Sequence, residues 1–183
     1  MLAVIEHERA RVTPLAAHTA MPTATTLLVA FDTGEGSGPP LTVPEVAGTL
    51  AVVHRRQWQA ENDCRGPAAT VELIAATKQL IDSLNHRRVE LVESVDRWAA
   101  QHVPQSAGAT LHTETLGSVI DRLAIASVRA ANLAVQGEVE RAYLACEQLF
   151  ELGTAYDSLL DDVRAGRRRV PSWRMLKTYR AAS

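Results

Sequence analysis

From residue 42 onward, apolar positions recur at steps of three and four, a spacing that predicts amphipathic helices rather than strands. The first long helix is expected over about Val43 to Arg65. Val46, Leu50 and Val53 form its apolar stripe, and His54, Trp58, Glu61 and Arg65 share the neighbouring face. Thr42 and Glu45, with Pro44 between them, predict a capping box at its start, and Gly66-Pro67 its end. A second helix is expected from about Thr70 to His102, stopped by Val103-Pro104 and about 45 Å long at 1.5 Å per residue. Its stripe is Ile74, Ile81, Leu84, Leu91, Val95 and Trp98, with Arg88 falling inside it.

After a loop over 104–110, a third helix is expected to open within Leu111–Ile125 and run to about Val135. Leu116, Val119, Ile120 and Leu123 form its core side, with Glu114, Ser118, Asp121 and Arg122 beside them. Thr113 is the expected N-cap, with Glu114 complementing the dipole in the first turn. Gly117 inside this helix costs roughly 1 kcal/mol relative to Ala, a cost that fits a close approach by another backbone or a ligand. The fourth helix is expected from about Glu138 to Ala165, closed by Gly166. Its core stripe is read as Val139, Tyr143, Cys146, Leu149, Phe150, Tyr156, Leu160 and Val163.

Residues 1–40 lack such a pattern and are read as a poorly ordered or irregular segment ahead of a single helical domain over 41–183. Leu27 to Phe31 is one apolar turn of helix or a short strand. Asp32-Thr33-Gly34 matches the tripeptide of aspartic proteases, but that chemistry needs two such aspartates on a β fold, so this stretch and the glycines after it are read as a loop. The architecture expected is all-α: a bundle of four long, mostly antiparallel helices with short extra helices at the termini.

Composition sharpens that picture. Of 183 residues 46% are hydrophobic but only 4% aromatic, so the core is aliphatic and built from strong helix formers. The net charge of −2 gives no overall attraction to nucleic acid or an anionic membrane, and neither is an expected partner. The Arg167-Arg168-Arg169 run is read as a solvated face near a helix C-terminus. The two cysteines, Cys64 and Cys146, have no metal or redox spacing; both are read as small buried hydrophobes, in keeping with a reducing cytoplasm.

Three helices carry candidate chemistry. Glu61, His112, Glu114 and Asp121 are the candidate catalytic acid–base groups. His54, Arg65, Lys78, Asp82, Asn85, Arg88 and Arg122 are the candidate substrate-binding groups. The competing reading makes them a structural ion network, with Arg88 pairing Asp121 between helices and Lys78 pairing Asp82 along one. Asp82, His86 and Glu90 line up at four-residue steps but are read as surface salt bridges. The Glu-x-x-His pairs of a di-iron bundle are missing, so neither metal nor cofactor is expected.

Leu111–Ile125, the stretch Lys78–Asp96 with its Ile81-Asp82, Leu84-Asn85 and Arg88, and the tail Gly166-Arg-Arg-Arg-Val-Pro-Ser-Trp173 resemble a bacterial all-helical family, domain of unknown function 4254. The resemblance covers roughly Thr42 to Tyr179. The chain departs from it with Asn62 after Glu61, where a second acid is expected, and Val89 after Arg88, where Asn is expected. The resemblance implies the fold and no activity. The expected function is a metal-independent acid–base enzyme acting on a small anionic metabolite in an interhelical pocket. Its alternative is a non-catalytic helical module that dimerises or serves a partner enzyme, marked by an exposed apolar stripe.

Overall fold

The structure is a computed structural model and describes residue 15 and residues 20–34, 42–65 and 70–172. Five α-helices occur among them: α1 Ala24–Thr33, α2 Val43–Arg65, α3 Val71–His102, α4 Leu116–Val135 and α5 Val139–Arg164. They pack as an all-helical bundle in which α4 touches each of the other four. The only strands described are β1 Thr110–Leu111 and β2 Arg168–Arg169, a two-residue parallel ladder with Thr110 opposite Arg168 and Leu111 opposite Arg169. No described helix is long and apolar enough to cross a membrane.

Local chemistry sets most helix ends. At α2 the Thr42 N–H donates to Glu45 Oε2 at 2.7 Å while the Glu45 N–H donates to Thr42 Oγ1 at 3.4 Å, a reciprocal capping box. Gly66-Pro67 lies outside the described residues. Thr70 caps α3 by accepting from the Leu73 N–H. At the end of α5 the Arg167 N–H reaches back to Asp162 O and the Gly166 N–H to Val163 O, the paired bonds of a Schellman motif.

The start of α4 differs from expectation. Thr115, not Thr113, is the N-cap, its Oγ1 accepting from the Ser118 N–H at 3.2 Å. Asp96 on α3 takes the Gly117 N–H at 2.6 Å. Meanwhile β1 pairs with β2, and the His112 N–H donates to Arg169 O at 2.8 Å, which draws residues 110–112 into a strand-like path. Glu114 therefore lies before the helix rather than in its first turn. Gly117 does mark a close crossing: a Cβ there would sit 2.4 Å from the Val92 carbonyl oxygen of α3.

The irregular segment expected over 1–40 does not hold for Ala24–Thr33. Thr23 caps α1, and Leu27 and Phe31 are fully buried in the main core. Asp32 and Thr33 of the protease-like tripeptide form its last turn and Gly34 ends it, while residues 35–40 lie outside the described residues.

Two expected stripes also need correction. On α5, Tyr156, Leu160 and Val163 are buried and Leu149 partly so, but Val139, Tyr143, Cys146 and Phe150 are exposed. The first half of α5 instead packs Ala142 and Ala145 against Ala130 and Leu133 of α4. On α3, Leu84, Leu91, Val95 and Trp98 are core, Ile81 is half-buried and Ile74 exposed. Cys64, the other cysteine expected to be buried, is half-exposed. The reason is shared: an apolar stripe at helical spacing records one sequence face, and these helices run past the layer that covers them.

Candidate functional site

The polar faces of α2, α3 and α4 converge on one carboxylate. Asp121, 4% exposed, lies on the side of α4 turned towards α2 and α3. His54 Nε2 of α2 is 2.8 Å from its Oδ1. Arg88 of α3 grips it side-on, with Nη2 2.6 Å from Oδ2 and Nε at 2.9 and 3.0 Å from the two oxygens. Arg88 enters the apolar stripe of α3 for this reason: its stem packs inside while its head meets the charge of the next helix.

Burial alone would push the Asp121 carboxyl up. The hydrogen bonds that His54 and Arg88 donate, with the guanidinium charge of Arg88, outweigh it and hold the group below the usual carboxylate range. An ionised carboxylate only accepts hydrogen bonds, so His54 Nε2 carries the proton between them. Nδ1 has no hydrogen-bond partner among the described residues and is left as the ring's free position.

Beside this cluster lies a cleft of about 350 Å³. His54, Trp58, Glu61 and Arg65 present the shared face of α2 to it, with Gln57 and Asn62. Arg88 contributes from α3, and Ile125, Val128 and Arg129 from α4. Arg65 is paired with Glu61 at 2.7 Å and Arg88 with Asp121, whereas Arg129 makes no ion pair among the described residues. The indole N–H of Trp58 is buried and has no partner among them. Trp58, Ile125 and Val128 supply an apolar wall, so the cleft combines a hydrophobic side with cationic groups and one oriented imidazole.

Of the sequence-predicted residues, His54, Glu61, Arg65, Arg88 and Asp121 come together here. Asn85 stands one layer back, where its side-chain oxygen accepts from Gln57 Nε2 at 2.8 Å. His112 and Glu114 do not reach the cleft. His112 Nδ1 is bound up with the backbone of Glu114, and the Glu114 carboxylate pairs with Arg122 on the outer side of α4. Lys78 and Asp82 are exposed, do not line the cleft and do not form the expected pair with each other. His86 and Glu90 do pair, at 3.4 Å on the surface, without Asp82. Among the described residues no three His, Cys, Asp or Glu side chains gather as a metal site would require.

Gln57, Ile125 and Val128 have no role in the sequence-based expectation, and Trp58, Asn62 and Arg129 enter it only as a residue sharing a face of α2, a departure from the family pattern and an extension of the polar side of α4. The signal that could find those of α4 is helical phase: Asp121, Ile125, Val128 and Arg129 follow at steps of four, three and one, on the flank that faces α2.

The fold and cleft define a class, an all-helical bundle with a charged interhelical cleft beside an Asp–His–Arg cluster whose carboxylate and imidazole are buried. The family described as "Protein of unknown function (DUF4254)" matches residues 45–172, and the chain belongs to it. No curated protein matches the chain. No solved structure matches it either. The matched region takes in α2 to β2 and leaves out α1, so the whole cleft lies inside the family domain.

Proposed function

We propose that the cleft binds a small anionic metabolite and that His54 carries out acid–base chemistry on it, without a metal. The observation that carries this reading is the orientation of His54 by buried Asp121, which leaves Nδ1 uncommitted in a histidine that lines the cleft. Neutral His54 takes a proton from the bound ligand at Nδ1, and the Nε2–H bond to Asp121 stabilises the imidazolium that results. Glu61 is the second acid–base group. Arg129, free of a carboxylate partner among the described residues, anchors the ligand's anionic group, and Trp58 with Val128 takes its apolar part. Arg65 and Arg88 are offset by Glu61 and Asp121, so the unpaired Arg129 leaves the cleft an excess of positive charge that disfavours a cation and supports a metal-independent reaction.

The test is thermal stabilisation by a panel of small carboxylates and phosphate monoesters, followed by turnover assays on those that bind. Arg129→Ala is expected to weaken binding at least tenfold with little change in the melting temperature of the free protein. His54→Gln, which keeps an N–H for Asp121, is expected to bind but not to turn over. A panel in which no anion stabilises the protein sinks the proposal.

A second reading, the non-catalytic dimerising module, is favoured by α5. Val139, Tyr143 and Phe150, at 76%, 63% and 76% exposure, stand on one side of that helix at steps of four and seven. A second copy of the chain would cover this stripe by a self-complementary contact. Under this reading the wild type elutes as a dimer in size-exclusion chromatography with light scattering, and Phe150→Glu elutes as a folded monomer. A monomeric wild type at high micromolar concentration removes it.

A further inference from the structure

The family-like tail and Asp96 take no part in the cleft described above, yet they meet in a second one. Arg167 and Arg168 both pair with Asp162, at 2.8 and 3.3 Å. Successive side chains in a strand point to opposite sides, so the β1–β2 ladder that leaves Arg168 beside Asp162 turns Arg169 the other way, towards α3. There Arg169 lines a cleft of about 290 Å³ together with Asp96, Ala99, Leu111, Val170 and Ser172. Its Nε donates to the Ala109 carbonyl at 3.3 Å, which steadies the side chain. It forms no ion pair among the described residues.

Asp96 likewise has no cation among them. Its Oδ1 takes the Gly117 N–H at 2.6 Å. Burial pushes its carboxyl above the ordinary value, only partly offset by hydrogen bonding. One cleft thus holds a carboxylate and a guanidinium that form no ion pair with each other, with apolar Ala99, Leu111 and Val170 in the same lining. A simple anion would sit well on Arg169 but be repelled by Asp96, and a simple cation the reverse. A ligand carrying both charges a short distance apart satisfies both walls at once.

We propose that this second cleft binds a free α-amino acid with a small apolar side chain, its ammonium at Asp96 and its carboxylate on Arg169. The guanidinium presents a planar fork suited to a carboxylate. Ala99, Leu111 and Val170 receive the side chain, and the Ser172 hydroxyl offers the ligand a further hydrogen bond. The site is separate from the His54 cleft, and its occupancy does not depend on the reaction proposed there.

The full-length chain is titrated with L-alanine, L-valine and L-proline by calorimetry and thermal shift. N-acetyl-L-alanine, which lacks the ammonium, and isopropylamine, which lacks the carboxylate, serve as comparisons and are titrated into Arg129→Ala, so that anion binding in the other cleft does not contribute. Saturable stabilisation by the amino acids and not by the comparison compounds is the expected result. Arg169→Gln is expected to weaken it at least tenfold. Arg129→Ala, in the other cleft, leaves it unchanged. A rise in stability that stays linear in amino acid reflects exclusion from the surface and overturns the proposal. So does equal binding of the singly charged analogues, or an unchanged affinity in Arg169→Gln.

Discussion

Asp121→Asn is expected to lower the stability of the folded chain by about 3 kcal/mol, the low end of the roughly 3–5 kcal/mol lost when one member of a buried ion pair is removed. The side chains that bond Asp121 decide where in that range it falls. The Arg88 side chain is 38% exposed and can turn its charge to water, whereas His54, 8% exposed, cannot. Asparagine keeps an acceptor for one donor but presents an amide N–H₂ to the other, so a buried donor goes unpaired. Urea unfolding with an unchanged slope would measure the loss. A change below about 1 kcal/mol would mean that desolvation already cancels the pair, which the cost of burying charge allows in principle.

The same substitution changes the response to acid. The folded-state pKa of Asp121 lies below its ordinary value: burial opposes the charge, but His54 and Arg88 outweigh burial. Its contribution is therefore present above the unfolded value of about 3.9 and lost as pH falls through the lower, folded value. Asp96 acts with the opposite sign. Its pKa is raised by burial, so its contribution is complete below the unfolded value and lost as pH rises through the folded one. Asp121→Asn removes the first effect and keeps the second. Its stability profile is expected to fall less steeply than the wild type's as pH drops below about 4.

Phe31→Ala is expected to cost about 3–5 kcal/mol, the range for emptying a fully buried aromatic site. That magnitude, in a helix of only ten residues, follows from how α1 is held. Phe31 and Leu27 have no exposed surface. Arg55 of α2 donates to the Phe31 carbonyl at 2.9 Å, and Asp157 of α5 accepts the Ala24 N–H at 2.8 Å. Tyr156, whose phenol burial keeps firmly protonated, donates to the Pro22 carbonyl at 2.9 Å. Gly48 lets the end of α1 lie directly on α2, since a Cβ there would come 2.1 Å from the Gly34 carbonyl oxygen. Hydrogen exchange on Phe31→Ala should show protection lost across α1 and the facing turns of α2. Loss confined to α1 with under 1 kcal/mol of destabilisation would instead make the helix an accessory outside the cooperative unit.

Much of the bundle is legible in the amino-acid sequence. The ends of α2 and α3 follow from Thr42 with Glu45, Thr70, and Val103-Pro104, because capping and proline sterics act within a few residues. His54, Trp58, Glu61 and Arg65 share one face of α2 by their spacing, and all four line the cleft. The helical state of Leu27–Phe31 is not legible. Ten residues alone are too few to hold a helix, and α1 depends on contacts with α2, α4 and α5. The cap of α4 is hidden for a related reason. Thr113 and Thr115 both precede the same apolar run, and the choice between them rests with Asp96 on α3 and with the strand pairing of Leu111 to Arg169.

The site divides along the same line. That His54 and Asp121 flank apolar stripes, and that Arg88 falls inside one, is written in helical phase. That they meet on one carboxylate, across 67 and 33 residues of chain, is not. His112, Glu114 and Arg122 carry equally suggestive chemistry and point elsewhere. Capping, propensity and periodicity are local interactions, so the order of residues is enough to specify the helices, their polar faces and the aliphatic core. Which polar faces close on a cleft and which stay in water depends on how α2, α3 and α4 are rotated against one another. That rotation is set by the packing between helices far apart in the chain, and it exists only in the folded bundle.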